Sequence, residues 1–148
     1  MKVVHQLPAA LVSMLADGSW EHPGEEALSE LVPFIREPLE FRTAATLNST
    51  REDFLMKRDE YENELFHEYR GSIAKPRGLP WRDIESSFLV AVNRYPGDEV
   101  AIGLDYRTSV TDPRVIASEW IDGIGGRCFW REVSPTFTEF VRQLYAKR

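Results

Sequence analysis

The sequence is poor in the residues that disulfides, metal sites and membrane spans require. Cys128 is its one cysteine, so no disulfide can form within the chain, and it contains only three histidines. No apolar run approaches the ~20 residues that a membrane-spanning helix needs. A lone thiol is typical of a reducing compartment, and we expect a cytoplasmic protein with no membrane association.

Basic residues are also in the minority. The chain has 18 Lys and Arg against 24 Asp and Glu, which gives a net charge of −6. The imbalance is strongest in residues 1–50, which hold three basic and seven acidic side chains. Proteins that bind nucleic acids show the opposite balance, because they neutralise phosphates with Lys and Arg. The composition therefore predicts no nucleic-acid partner and favours a protein partner with a basic surface.

The chain is expected to fold as one domain over residues 1–148. This length buries enough surface to fold without a disulfide or a metal, and no linker, repeat or low-complexity tract divides it. Apolar residues at helical spacing between Pro8 and "ADG" predict a first amphipathic helix, and "EEALSELVPFI" predicts a short second one. The capping box at Ser49 and Glu52 predicts a charged helix that continues to about Tyr69.

Four strands and a last helix are predicted in the second half of the chain. Alternating apolar residues indicate the strands, and short connections favour antiparallel pairing. The predicted strands are 87–95, 99–106, 114–120 and 127–133. A capping box at Thr136 and Glu139 begins an apolar stripe of helical period. The sequence thus predicts an α+β fold, in which N-terminal helices and a C-terminal amphipathic helix pack on a mixed, mainly antiparallel sheet.

The strand predicted over 99–106 has two unlike faces, because side chains alternate between the two sides of a sheet. The bulky face is expected to be core, and it comprises Val100, Ile102, Leu104 and Tyr106, with Phe88, Val90 and Val92 beside them. The opposite face comprises Glu99, Ala101, Gly103 and Asp105, to which agreeing registers would add Ala91, Ala117 and Glu119. This second face is predicted to be a floor of small residues with carboxylates at its margins.

Two interpretations of the small-residue floor stay open. In the first, the backbone of the last helix, 137–147, lies over the floor, and Asp105 caps the turn "RTSVTDP". Strand-end aspartates usually have such turn roles, which favours this interpretation for Asp105. In the second, the floor lines a groove that receives a basic protein. The residues predicted to contact that partner are Asp98, Glu99, Asp105, Glu119 and the loop residue Trp81.

Three patterns imitate metal or catalytic motifs but lack what the chemistry needs. Glu64 and His67 have the spacing of a di-iron ligand pair, yet the second pair and the further glutamates are missing. The "GIGG" stretch at 123–126 lacks the spacing of a dinucleotide-binding loop. Cys128 has no base and orienting group indicated for it. We therefore expect no catalytic residue, no metal site and no cofactor.

Residues 86–144 resemble the SUKH superfamily, the group that includes the yeast cell-wall assembly regulator and many bacterial immunity proteins. The likeness is carried by a strand that ends in Asp-Tyr-Arg, a following strand that ends in Trp120, and a late strand that runs into Ser-Pro-x-Phe and an amphipathic helix. The corresponding stretches are "FLVAVNRYPGDEVAIGLDYR", "TDPRVIASEW" and "WREVSPTFTEFVRQL". The resemblance implies an α+β domain without catalytic machinery.

Together these features predict a binding protein rather than an enzyme. The leading expectation is a bacterial immunity protein that binds and neutralises a polymorphic toxin, such as a nuclease with a basic surface. The alternative is a regulatory scaffold that is unrelated to toxins. A third class, a small hydrolase or metal enzyme, receives the least support because no complete catalytic or metal-ligand pattern is present in the sequence.

Overall fold

The computed structural model describes residues 6–43, 79, 82, 86–94, 100–121 and 127–146. These residues form three helices and a five-stranded sheet, so the predicted α+β arrangement is confirmed. None of the helices in these ranges has the length and apolar character that crossing a membrane demands. The predicted charged helix at 49–69 lies outside the described residues.

The first and last described helices begin where the sequence signals predict, and the last one ends at Leu144 rather than at 147. Helix α1, Ala9–Asp17, follows Pro8 and ends at Gly18, whose φ of 78° is the left-handed conformation that favours glycine. Helix α2 spans Glu25–Leu31, and α3 spans Phe137–Leu144. The Thr136 hydroxyl caps α3 by accepting a 3.1 Å hydrogen bond from the backbone N–H of Glu139.

The sheet is an antiparallel meander in which every strand pairs with its neighbour in sequence. The strands are β1 (Leu39–Phe41), β2 (Ser87–Asn93), β3 (Ala101–Asp105), β4 (Arg114–Ile121) and β5 (Arg127–Ser134). Their spatial order is also β1 to β5, and the four pairings in the described sheet are all antiparallel. Strand β1 was not predicted, because three residues are too few to establish an alternating pattern.

An irregularity in β2 changes which residues face the helices. Leu89 pairs with Gly103, but Ala91 pairs with Ile102, so Val90 is the additional residue of a β-bulge. After the bulge, Ala91 lies on the Ile102 side of the sheet and Val92 pairs with Ala101 on the other side. The predictions that Ala91 belongs to the small-residue floor and Val92 to the core face are therefore wrong.

The main core lies between the three helices and the face of the sheet that carries Ile102 and Leu104. Helix α3 contributes three buried side chains to it, and Trp20 packs its ring against Phe41 and Phe137 at centroid distances of 4.8 and 5.7 Å. The α3 residues are Phe137, Phe140 and Leu144. Helix α3 therefore packs on the bulky face, and the expectation that it lies over the small-residue floor is wrong.

The opposite face of the sheet is a second apolar cluster rather than an open floor. Its buried members are Leu89, Ala101, Ile116 and Trp130, with Leu79 and Val92 partly buried beside them. A Cβ added to Gly103 would lie 3.1 Å from Leu89 Cδ2 and 3.3 Å from the Phe88 carbonyl oxygen. Gly103 is thus small because the neighbouring strand packs closely against it, and not because a groove passes over it.

Candidate functional site at the Asp105 end of the sheet

Asp105 ends β3 as a fully buried carboxylate held by two arginines. Its Oδ1 accepts hydrogen bonds from Arg107 Nε at 2.8 Å and from the Arg107 backbone N–H at 3.1 Å. Its Oδ2 accepts from Arg107 Nη2 at 2.9 Å and from Arg114 Nε at 2.8 Å. Arg114 occupies this position because it is the cross-strand neighbour of Asp105 in the β3–β4 ladder. Both carboxylate oxygens are therefore used within the fold.

The surroundings of Asp105 keep it ionised. Burial by itself would raise the pKa of the Asp105 carboxyl, but the hydrogen bonds and positive charges of Arg107 and Arg114 outweigh burial and lower the pKa below its ordinary value of 3.8. A carboxylate with a lowered pKa and fully engaged oxygens is a weak general base. Its side chain is 0% exposed, so Asp105 cannot itself contact a protein partner. Its chemistry is that of a structural anchor.

The loop between β3 and β4, residues 106–113, is fixed at both ends and at its centre. Tyr106 donates from its hydroxyl to the Gln6 carbonyl at 2.8 Å, which joins the loop to the chain before α1. The Ser109 hydroxyl accepts from the backbone N–H groups of Thr111 and Asp112, at 3.3 and 3.1 Å. Asp112 Oδ1 in turn accepts from the backbone N–H of Thr138 at 3.0 Å. The loop therefore connects the sheet to the first turn of α3.

A buried arginine occupies the second face of the sheet next to Asp105. Arg82 donates from Nη1 to the Ser87 hydroxyl at 2.8 Å, and its guanidinium lies 5.1 Å from the centroid of the Trp130 ring. Ser87 is the cross-strand neighbour of Asp105. The guanidinium thus covers the apolar cluster as well as the polar end of β2. Neither Arg82 nor this stacking contact was predicted, since a single arginine in a loop gives no sequence signal.

Glu119 lies on the other side of the sheet from Asp105. Because Ile102 pairs with Ala117 and Leu104 pairs with Val115, the side chains of Val115, Ala117 and Glu119 share the face of the main core. Ala117 is buried in that core, and Glu119 forms an ion pair with Arg131, whose guanidinium lies 5.8 Å from the Phe34 ring centroid. The prediction that Ala117 and Glu119 share one face with Ala101, Gly103 and Asp105 is therefore wrong.

The other residues predicted to contact a partner fall outside the described part of the chain. These are Asp98, Glu99 and Trp81. The Glu64 and His67 pair and the glycines at 123–126 also lie outside it, and the side chain of Cys128 is not described. Within the described ranges, no three His, Cys, Asp or Glu side chains come together in a way that would hold a metal ion.

Among the described residues, excess negative charge is concentrated in residues 17–37, here called the acidic segment. It contains six carboxylates and one arginine, Arg36. The carboxylates are all exposed, and they are Asp17, Glu21, Glu25, Glu26, Glu30 and Glu37. The excess of acidic residues in 1–50 is visible in the sequence, but the alternation along β3 placed the predicted binding residues on the sheet. The residues of the acidic segment were not among those predicted to contact a partner.

Residues 100–121 and 127–146 contrast with the acidic segment, because their five carboxylates are matched by five arginines. Arg114 forms ion pairs with both Asp105 and Glu132. The Oε1 atom of Glu132 lies 3.6 Å from Arg114 Nη1. Glu119 pairs with Arg131, and Glu139 pairs with Arg142 on the next turn of α3. Asp112 caps α3. The negative charge in this half of the described molecule is therefore balanced locally.

Comparison of the chain with protein-family models, with curated proteins and with solved structures finds no match. The likeness to the SUKH superfamily consequently remains a prediction from the residues that carry it. Those residues have structural roles in this chain, since Asp105 and Arg107 pair with each other, Tyr106 joins the loop to Gln6, and Phe137 is buried in the core. These contacts bear on the fold.

Proposed function

We propose that this chain is a non-catalytic protein-binding domain, and that it serves as an immunity protein that neutralises a polymorphic toxin with a basic surface. The observation that carries the proposal is the separation of charge. The acidic segment has six exposed carboxylates and one arginine, whereas residues 100–121 and 127–146 have five carboxylates and five arginines. An unbalanced negative surface attracts a positive one and speeds its encounter, and toxins that cleave nucleic acids need positive surfaces to bind phosphates.

The chemistry of the buried polar groups supports binding over catalysis. Asp105 is the most enclosed acid at the sheet end, and both of its oxygens are engaged by arginines. Arg82 is occupied by Ser87 and by the face of Trp130. Groups so engaged hold strands and loops in place, and a reaction centre needs at least one group that is available to substrate.

The proposed site of action is the cytoplasm, because an antidote has to meet a toxin where the toxin acts and because a single cysteine suits a reducing compartment. A regulatory scaffold, the second expectation, would present the same acidic segment to a partner that is not toxic. The two functions differ in whether the partner harms the cell.

A pull-down with the product of the neighbouring gene, followed by co-expression of the two chains, tests the proposal. The expected results are rescue of growth and a stable one-to-one complex of the two purified proteins. Rescue has to be observed when neither partner is replaced by an inactive form. A fluorescence assay of toxin activity has to show inhibition that saturates as this chain is added. Growth arrest despite full expression of a folded chain would contradict the immunity function.

A further inference from the structure

The connection between α1 and α2, residues 18–24, is here called the strap, and a glycine stands at each of its ends. Gly18 has a φ of 78° and Gly24 a φ of 107°. Within the described ranges, no other residue has a positive φ. Glycine adopts such angles readily because it has no Cβ. The strap is therefore joined to each helix through a residue whose backbone has few steric restrictions.

Trp20 holds the strap on the main core. Its side chain is buried, and its ring packs against Phe41 of β1 and Phe137 of α3. Its backbone N–H donates to the Met14 carbonyl at 3.2 Å, which joins the strap to the last turn of α1. The strap thus crosses the core between β1 and α3, two elements from opposite ends of the chain.

The hydroxyl of Tyr145, the residue that closes α3, binds the strap directly after Trp20. It donates to the Glu21 carbonyl at 2.6 Å and accepts from the Glu21 backbone N–H at 3.3 Å. A phenol hydroxyl is both a donor and an acceptor, so one side chain serves both polar backbone groups of Glu21. Backbone groups outside helices and sheets need such partners. The end of α3 is thereby joined to the acidic segment.

We infer that the Tyr145 hydroxyl is a latch that keeps the strap closed on the core and so fixes how α1 and α2 present their carboxylates. Asp17 ends α1, whereas Glu25 and Glu26 begin α2, so the course of the strap sets the distance between these charges. When the latch is absent, the end glycines let the strap open without unwinding either helix. The inference goes beyond the proposed function, because it concerns the folded chain alone.

The test compares two tyrosine substitutions that remove a hydroxyl and keep the ring. Tyr145→Phe removes the latch, and Tyr106→Phe is the matched control because the Tyr106 hydroxyl also donates to a backbone carbonyl, that of Gln6. Amide hydrogen exchange followed by mass spectrometry measures local opening in the full chain. Tyr145→Phe is expected to speed exchange in peptides that cover the strap at least about fivefold, the effect of losing a hydrogen bond.

Peptides from β3 and β4 should change less than the strap in Tyr145→Phe, and Tyr106→Phe should leave exchange in the strap at the wild-type rate. Wild-type exchange across the strap in Tyr145→Phe would overturn the inference. An equal acceleration in the strap and in β3 and β4, or a variant that fails to fold, would also overturn it, since the hydroxyl would then stabilise the whole domain. The same acceleration of the strap in both variants would show that the effect does not belong to Tyr145.

Discussion

Asp112 Oδ1 accepts a 3.0 Å hydrogen bond from the backbone N–H of Thr138, so a residue of the β3–β4 loop caps a helix that begins 25 residues later in the chain. The N–H groups in the first turn of a helix have no partner within the helix, and a side-chain acceptor there stabilises it. Thr136 supplies one such acceptor by accepting from Glu139. Asp112 supplies another from outside the helix.

Asp112→Ala should lower the free energy of unfolding by about 1 kcal/mol, the usual effect of removing a helix-capping side chain. The measurement is urea denaturation followed by far-ultraviolet circular dichroism. Asp112→Asn is the matched control, because it keeps an acceptor oxygen and should lose less. If Asp112→Ala and wild type unfold at the same urea concentration, the loop does not support α3.

Asp105→Asn should lower the free energy of unfolding strongly, although asparagine and aspartate have nearly the same shape. The substitution removes a negative charge that faces Arg107 and Arg114 in a fully buried position. Breaking a buried ion pair by removing one partner costs roughly 3–5 kcal/mol, because the remaining charge stays buried. Glu139→Gln is the control, since its pair with Arg142 lies on the surface of α3 and should contribute far less. Similar losses in the two variants would contradict the anchoring role of Asp105.

The stability of the wild-type domain should fall when the pH drops below about 4. Burial opposes ionisation of Asp105, but its arginine contacts lower its pKa in the folded chain beneath 3.8, the ordinary value. A group whose folded pKa is lowered adds stability above the unfolded pKa and loses it as the pH falls through the folded pKa. Chemical denaturation between pH 7 and 2 measures this. Asp105→Asn should show a shallower decline over that acidic range, and parallel curves would contradict the assignment.

Phe140→Ala should cost about 3–5 kcal/mol, the usual effect of truncating a fully buried phenylalanine. Phe140 is 0% exposed and lies in the main core with Phe137, and the centroids of the two rings are 6.4 Å apart. Thermal and urea unfolding give the value. A truncated chain that stops before Pro135 and still melts at the wild-type temperature would show that α3 is dispensable, contrary to its place in the core.

The helices and most of the sheet were predictable because their signals are local. Gly18 ends α1 and Thr136 begins α3, since a left-handed glycine and a capping hydroxyl act within one helical turn. Strands β2 to β5 were recognisable from alternation. Strand β1 was not, because its three residues pair with β2 across about fifty residues of sequence and have no pattern of their own.

The faces of the sheet were less predictable than its strands. One bulge at Val90 moves Ala91 and Val92 to the sides opposite to those that simple alternation assigns, and no feature of the sequence reports it. The register of β4 likewise places Glu119 on the face of the sheet that carries the main core, and simple alternation does not predict this. Asp105 could be recognised as a strand-end residue, but Arg114 becomes its partner only through the β3–β4 register. Long-range pairing, rather than local propensity, decides these positions.

Association kinetics test the central claim, that unbalanced charge in the acidic segment recruits a basic toxin. Glu26→Gln with Glu37→Gln removes two exposed carboxylates of that segment. Glu119→Gln with Glu139→Gln removes the same charge from residues that are paired with Arg131 and Arg142. Stopped-flow mixing of each variant with the toxin domain over a range of NaCl concentrations measures the association rate constant.

We predict that the acidic-segment variant associates more slowly at low salt and depends less steeply on salt, whereas the paired-residue variant stays close to wild type. Equal association rates for the two double variants at every salt concentration would contradict the account.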